Sequence, residues 1–314
     1  MSSSAPLRLI LGTGSVGSPT LSGTTAAKFL DTFREHDYTE LDSAYVYPMV
    51  GTPGECERVL SQVGPWAHIS TKILPPFDRE NVAISIEGSV ERLGGKEIDI
   101  LYLHLPDRST PMEETLEAVD AAHRAGKFKR FGVSNYSPQE VQKLVEVCAS
   151  NGFVKPTVYQ GQYNLLARKG EKELFPILRE HGIAFCAYSP AAGGMLTGKV
   201  TRESADQDGR WSKASPGGQA YSAAYHQDLI FEASTKIQNK AKEHGISGHA
   251  AALRWCIHHS VLDVKNGDAV IVGASSVGQL EEGLKICEEG PLPTDLVKAI
   301  EEVWPTVQAV APWA

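Results

Sequence analysis

Four side chains of the 314-residue chain have the types needed to pass a proton to a carbonyl oxygen: Asp42, Tyr47, Lys72 and His104. A free tyrosine has a pKa of about 10 and is a poor acid or base near neutrality. A nearby ammonium favours the phenolate and lowers that value, and Lys72 is the candidate cation. Asp42 would pair with Lys72 and hold its charge in a buried site. His104 would donate a hydrogen bond to the carbonyl oxygen and orient it. Tyr47 would then protonate the developing alkoxide as a hydride arrives. Taken singly, each residue has a plainer reading. An Asp–Lys pair is more often structural, a tyrosine more often a rim aromatic, a histidine more often a satisfied core residue. The chemical reading rests on the four occurring together at the ends of successive strands.

Those strands are read from short apolar runs at Leu7–Leu11, Tyr38–Asp42, His68–Lys72, Ile98–Leu103, Phe128–Val133, Thr157–Gln160, Ile183–Tyr188 and Ala269–Gly273. Most are continuously apolar, as parallel strands covered on both faces require. Amphipathic helices fall between them. Asp78 precedes an apolar stripe of Val82, Ile86, Val90 and Leu93. Thr110-Pro111-Met112-Glu113 and Ser137-Pro138-Gln139-Glu140 both have the form of a capping box with proline at the first helical position. Gly126 fits as a helix stop. Residues 171–181 and 229–244 are read as further helices. Eight strand–helix repeats predict a closed (β/α)8 barrel rather than an open doubly wound sheet. No linker of altered composition divides the chain, so residues 1–314 are expected to form one domain. Residues 189–228, rich in Gly and Ser, are expected to be a long loop, functional or disordered, after the seventh strand, where barrels build phosphate sites.

Gly12-Thr13-Gly14-Ser15-Val16-Gly17 matches G-x-G-x-x-G, and Asp42 could pass for a ribose-binding acid. A dinucleotide fingerprint needs a helix opening within the glycines. Here Ser18–Gly23 continues as a loop and the helix begins near Thr24, so the match is read as a glycine turn needing positive φ.

Composition narrows the partners. Lys and Arg number 30 and Asp and Glu 38, a formal net charge of −8, which argues against a nucleic-acid groove or an anionic membrane surface. Hydrophobic residues at 42% and charged residues at 22% are those of a globular protein, not a disordered one. No apolar run reaches the length of a membrane span, and no basic segment precedes a long apolar stretch at the start. Cys56, Cys148, Cys186, Cys256 and Cys287 are dispersed and form no CxxC pair. Free buried thiols in the cytoplasm are the expectation.

Several segments carry a specific likeness. They are Leu41-Asp42-Ser43-Ala44-Tyr45-Val46-Tyr47, Ser70-Thr71-Lys72, Leu101–Asp107, Gly132-Val133-Ser134-Asn135-Tyr136, Val158–Asn164, Tyr188–Gly194 and Gly273-Ala274-Ser275-Ser276. In this order, over about residues 7 to 287, the chain resembles the aldo-keto reductase superfamily. Met195-Leu196-Thr197-Gly198-Lys199 and Gly209-Arg210-Trp211 make it most similar to the branch of aflatoxin-aldehyde and succinic-semialdehyde reductases. The resemblance implies an NADPH-dependent carbonyl reductase on a barrel, with Asp42, Tyr47, Lys72 and His104 as its tetrad. It implies that Ser134, Asn135 and Gln160 bind the nicotinamide carboxamide and that Tyr188 stacks on the ring. Ser189 and the Ala191–Gly194 backbone, with Ala191, Gly193 and Gly194 allowing close approach, would cover the pyrophosphate. Ser275, Ser276, Gln279 and Glu282 would sit at the adenosine end. Gly12, Thr13 and Gly273 join this dinucleotide-binding set, as do Lys199 and Arg210. Many members carry Arg where Gln279 stands and Asn where Gly283 stands, so preference for NADPH rests on Ser275 and Ser276, helped by Lys199 or Arg210.

The branch's carboxylate-binding arginines are missing from Tyr221-Ser222-Ala223-Ala224-Tyr225 and from Val310-Ala311-Pro312-Trp313-Ala314. Tyr45, Trp211 and Tyr225 are candidates for an apolar pocket, and the expected substrate is a hydrophobic or aromatic aldehyde or ketone. No metal is expected: His258 and His259 point to different helix faces. A homodimer is compatible with the sequence. Two other readings stay open: a cofactor-binding subunit resembling potassium-channel β subunits, and use of the tetrad for enolisation or dehydration.

Overall fold

Covered apolar strands alternating with amphipathic helices close on themselves. The computed structural model describes residues 7–202, 211–212 and 216–313. Its strands are β1 (Arg8–Gly12), β2 (Glu40–Asp42), β3 (His68–Ile73), β4 (Ile98–Leu103), β5 (Phe128–Ser134), β6 (Pro156–Gln162), β7 (Ala184–Tyr188) and β8 (Ala269–Gly273). They pair in parallel in chain order, and β8 returns to β1 to close the barrel. All eight predicted strands are present. Strand β2 is shorter at its start, because Tyr38 leaves the ladder and stacks on Phe33 with ring centroids 5.2 Å apart.

Between the first strands run α1 (Gly23–Glu35), α2 (Glu55–Leu60), α3 (Arg79–Arg92) and α4 (Met112–Arg124). After them come α5 (Pro138–Asn151), α6 (Gly170–Glu180), α7 (Pro216–Tyr225), α8 (Asp228–Glu243), α9 (Gly248–His258), α10 (Val277–Glu288) and α11 (Thr294–Val307). Asp78 caps α3 by accepting from the Asn81 amide. Ser137 and Glu140 form the predicted capping box of α5. The box predicted at Thr110 does not form. Pro111 occupies the cap of α4, and the Thr110 hydroxyl donates instead to Asp107 Oδ2 at 2.7 Å. Asp107 also accepts from the amides of Phe77 and Ser109, so it ties two loops at the mouth together.

The packing has two parts. Inside the barrel lie Ile10, Ile100, Tyr102, Val158, Cys186, Ala269 and Ile271, with Tyr188 against them. A larger shell joins the outer strand faces to the helices. The N-terminal end is tied by Arg8–Glu40, Arg130–Asp99 and Arg179–Asp268 pairs. The C-terminal end is left open to the loops, which is where barrels place their chemistry.

Two described parts of the segment after β7 are helical where a loop was expected. A 3-10 turn covers Ala192–Thr197, and α7 occupies Pro216–Tyr225. Of the first glycine turn, Gly17 alone has positive φ, at +88°. The helix after it begins at Gly23, well beyond the glycines.

Candidate active site

Asp42 ends β2 and Lys72 is the penultimate residue of β3, so the ladder sets both side chains at one rim. Lys72 is wholly buried. Its ammonium donates to Asp42 Oδ2 and to the Ser43 carbonyl, each at 2.7 Å. The other carboxylate oxygen of Asp42 accepts from Gln160 Nε2 at 2.8 Å. The ammonium therefore has a fixed direction as well as a counter-charge. It lies 5.2 Å from the centroid of the Tyr47 ring and 5.7 Å from that of Tyr102.

Tyr47 sits in the loop between β2 and α2. The ring lies over Gly14, at van der Waals distance from where a Cβ there would stand. The backbone is fixed on both sides: the Tyr47 amide donates to Ala44, and the amides of Gly54 and Cys56 donate to the Tyr47 carbonyl. His104 follows β4, held by its own amide on Ile73 and by Asn135 Nδ2 on its carbonyl. Its ring meets that of Tyr47 edge to face, with centroids 6.2 Å apart and planes at 89°. The four predicted residues are thus brought together.

Burial first, and the Lys72 ammonium second, push the His104 pKa down to about 3. The imidazole is neutral at physiological pH. Its Nδ1 is buried with no hydrogen-bond partner among the described residues. His104 as a residue is partly exposed. Cys56 lies behind the site, 3.2 Å from the hydroxyls of Thr13 and Ser43, and burial pushes its thiol up to about 11. It is an inert packing group, not a nucleophile.

Beside the tetrad, strand register aligns Ser134 with Gln160 and Gln162 with Tyr188. Asn135 Nδ2 donates to Ser134 Oγ at 2.9 Å, and Tyr188 Oη donates to Asn135 Oδ1 at 2.8 Å. Side-chain amides, a hydroxyl and a flat aromatic ring thus line this rim, and Asn135 links them to the His104 carbonyl. This donor set fits a planar heterocycle bearing an amide. Ser189, Ala191, Gly193 and Gly194 form the next stretch, with Ser189, Gly193 and Gly194 all at positive φ. The Tyr221 ring packs where a Gly193 Cβ would be, at 2.6 Å, so only glycine permits that approach.

Farther along the rim, Gly12 and Gly273 are register partners, and Thr13 donates through both amide and hydroxyl to the Asp42 carbonyl. Ser276 caps α10 by accepting from the Gln279 amide, and Gln279 Oε1 accepts from the amide and hydroxyl of Ser275. Ser275, Ser276, Gln279, Glu282 and Lys199 are all exposed. Glu282 and Lys199 both act electrostatically on His249. Arg210 lies outside the described residues.

The aromatic pocket expectation is corrected in part. Tyr225 is 0% exposed and Trp211 is 3% exposed. The Tyr225 hydroxyl accepts from Gln162 and Asn164, and Trp211 Nε1 donates to the Gly193 carbonyl at 2.9 Å. Both rings clamp α7 against the segment after β7 and offer almost no surface to a ligand. Tyr45 at 39%, Met49 at 48%, Val50 at 68% and Leu105 at 43% are exposed apolar groups close in sequence to Tyr47 or His104. Met49 and Leu105 carried no signal in the sequence beyond being neighbours of the tetrad.

Elsewhere, the histidines near 258 serve the backbone: His258 bonds the Glu289 carbonyl and His259 accepts from the Leu292 amide. Among the described residues, no group of three His, Cys, Asp or Glu side chains could hold a metal. No described helix is long and apolar enough to cross a membrane.

With this arrangement in place, the family is clear. Residues 8–305 match the Aldo/keto reductase family model, and the chain belongs to that family. An aldo-keto reductase of Pseudocercospora fijiensis is 40% identical over 288 residues, covering 89% of this chain and 97% of that protein. Human aflatoxin B1 aldehyde reductase member 2 is 38% identical over 322 residues, covering 96% of this chain and 88% of its own length. Oxidoreductase sirO of Leptosphaeria maculans is 38% identical, covering 98% of this chain and 96% of its own. The glycerol dehydrogenase AKR11B4 of Gluconobacter oxydans shares the fold, with a TM-score of 0.74 at 24% identity over 95% of this chain and 92% of that one.

Proposed function

We propose that this aldo-keto reductase uses NADPH to reduce an uncharged, hydrophobic or aromatic aldehyde or ketone, with Tyr47 as the proton donor. The observation that carries this is the buried Lys72 ammonium, fixed by Asp42 at 2.7 Å and set 5.2 Å from the Tyr47 ring. When bound, the nicotinamide supplies the hydride. Ser134, Asn135 and Gln160 would hold its carboxamide, and Tyr188 would support the ring face. Ser189, Ala191, Gly193 and Gly194 would line the pyrophosphate. Gly12, Thr13, Gly273, Ser275, Ser276, Gln279 and Glu282 would line the remainder, with Lys199 favouring a 2′-phosphate.

The chain's own part in the chemistry follows from charge. His104, neutral, donates from Nε2 to the carbonyl oxygen and orients it. Negative charge grows on that oxygen, and Tyr47 passes its proton there. The charge then rests on the Tyr47 oxygen, where the Lys72 ammonium opposes it. Asp42 keeps that ammonium in place. Neutral substrates are favoured because the rim beside Tyr47 is apolar: Tyr45, Met49 and Leu105. Arg92, which stacks on Tyr45, is already neutralised by Glu57 at 2.6 Å. Human aflatoxin B1 aldehyde reductase, at 38% identity, makes an aldehyde-reducing role reasonable. The five cysteines are all free and buried, which suits a reducing cytoplasm.

Steady-state turnover on a carbonyl panel, with NADPH and NADH binding followed by fluorescence, tests the reading. Tyr47→Phe is expected to abolish reduction and leave cofactor affinity nearly unchanged. Uncharged aryl aldehydes should outpace short carboxylated semialdehydes. Wild-type turnover by Tyr47→Phe would remove Tyr47 from the mechanism. Cofactor binding without turnover across the panel would favour a regulatory subunit.

A further inference from the structure

The segment carrying Tyr45 and Tyr47 is braced from behind by side chains that play no part in the scheme above. Glu57, on α2, is wholly buried. Its Oε1 accepts from Thr71 Oγ1 and its Oε2 from Arg92 Nε, both at 2.6 Å. Thr71 directly precedes Lys72 on β3, and Arg92 is the last residue of α3. The guanidinium of Arg92 then lies over the Tyr45 ring, 4.7 Å from its centroid.

The course of Arg92 is cut between two glycines. A Cβ at Gly54 would stand 2.6 Å from Arg92 Cδ, and one at Gly88 would stand 2.9 Å from Nη1. Gly54 has φ +81° and its amide donates to two carbonyls: Tyr45 at 2.6 Å and Tyr47 at 3.1 Å. One arginine therefore touches both the ring two residues before Tyr47 and the glycine that pins the Tyr47 backbone. A cation needed only to neutralise Glu57 would require neither the stack on Tyr45 nor the contact with Gly54.

We propose that Arg92, oriented by Glu57, is a positioning residue for Tyr47. It clamps Tyr45 and Gly54, and so holds the phenol at its distance from the Lys72 ammonium. The other end of the brace, Thr71, ties the same carboxylate to the strand that carries Lys72. Donor and cation are thereby referenced to one buried group. This inference rests on the reading of Tyr47 as proton donor.

The test compares Arg92→Lys, Arg92→Met and Glu57→Gln with wild type and with Tyr47→Phe. Thermal unfolding and NADPH titration by fluorescence establish which variants fold and bind. Where Arg92→Met fails to fold, Arg92→Lys carries the comparison, because it keeps a cation for Glu57 but loses the flat face over Tyr45. Each folded variant is expected to bind NADPH normally and to lose about 10- to 100-fold in kcat, the scale of a small misplacement at a reacting group. Its pH–rate profile should move to higher pH, because the phenol stands farther from the ammonium. Where Tyr47→Phe leaves measurable turnover, adding Arg92→Lys to it should cause no further loss. Unchanged kcat and pH profile in folded Arg92→Lys would overturn the inference. So would a loss on Arg92→Lys that is equally large with and without the Tyr47→Phe substitution. If Tyr47→Phe itself turns over normally, the proton-donor reading fails first; if only the Arg92 variants do, this inference fails alone.

Discussion

Replacing Lys72 with Met separates the two jobs of the buried ammonium. Its charge stands 5.2 Å from the Tyr47 ring centroid, and 2.7 Å from both Asp42 Oδ2 and the Ser43 carbonyl. At an effective dielectric of about 20, unit charges at that first separation attract by about 3 kcal/mol. Taken as the support given to a developing phenolate, this loss slows proton transfer by about two orders of magnitude. The structural cost is distinct. Methionine fills the space but leaves Asp42 Oδ2 unpaired in a buried site, while Oδ1 keeps Gln160. Breaking a buried pair from one side costs about 3–5 kcal/mol. The double variant Lys72→Met/Asp42→Asn removes the orphaned charge and should recover much of that stability. It should recover none of the activity. Urea unfolding measures the first quantity, and aldehyde reduction under saturating NADPH measures the second. Turnover near wild type in folded Lys72→Met, or recovery of turnover in the double variant, would refute the electrostatic role.

Other perturbations read different parts of the structure. His104 is held neutral down to about pH 3 in the folded state, against an ordinary value of 6.5. The unfolded chain therefore takes up a proton that the folded one refuses. Stability is full above pH 6.5 and is lost progressively as pH falls toward 3, by at most about 2 kcal/mol at pH 5. Urea unfolding at about pH 7 and about pH 5 should show this loss in wild type and its absence in His104→Gln. At Gly132, inside the barrel, an added Cβ would stand 2.5 Å from the Tyr102 ring. Gly132→Ala should therefore cost about 1–3 kcal/mol by overpacking, read as a lower thermal midpoint. It should also slow turnover, because Tyr102 lies 5.7 Å from the Lys72 ammonium.

The features legible in the sequence were those fixed by local pattern. Continuous apolar runs with capped helices between them gave all eight strands, and Asp42, Lys72 and His104 were found because strand ends on a barrel share one rim. What failed depended on contacts that the helix and strand patterns do not weigh. Thr110 has the form of a cap, yet its hydroxyl goes to Asp107, which the local pattern does not weigh. Trp211 and Tyr225 looked like pocket aromatics because an aromatic in a long loop reads as exposed; α7 folds over and buries both. Arg92 carries no signal in the sequence, because a helix-end cation is normally a solvated charge. Nothing local distinguishes it, because its role depends on a buried carboxylate from α2 and a glycine 38 positions earlier.

The pairing of charges also bears on substrate choice. Two cations, Lys72 and Arg92, flank the Tyr47 segment, and each is closed by a carboxylate that is itself buried, Asp42 or Glu57. A carboxylated substrate would have to draw a cation away from such a partner. That exchange would leave a buried anion behind, and the penalty for an uncompensated buried charge exceeds what a rim-exposed ion pair returns. An aryl or alkyl carbonyl makes no such demand. It gains from Tyr45, Met49 and Leu105 by covering apolar surface at about 25 cal/mol per Å². On the proposed reading, the arrangement that holds the phenol near its ammonium would also keep both of these cations from an incoming carboxylate, so an aryl aldehyde is expected to outpace a carboxylated semialdehyde of similar size in a turnover assay, and the reverse order would refute this step.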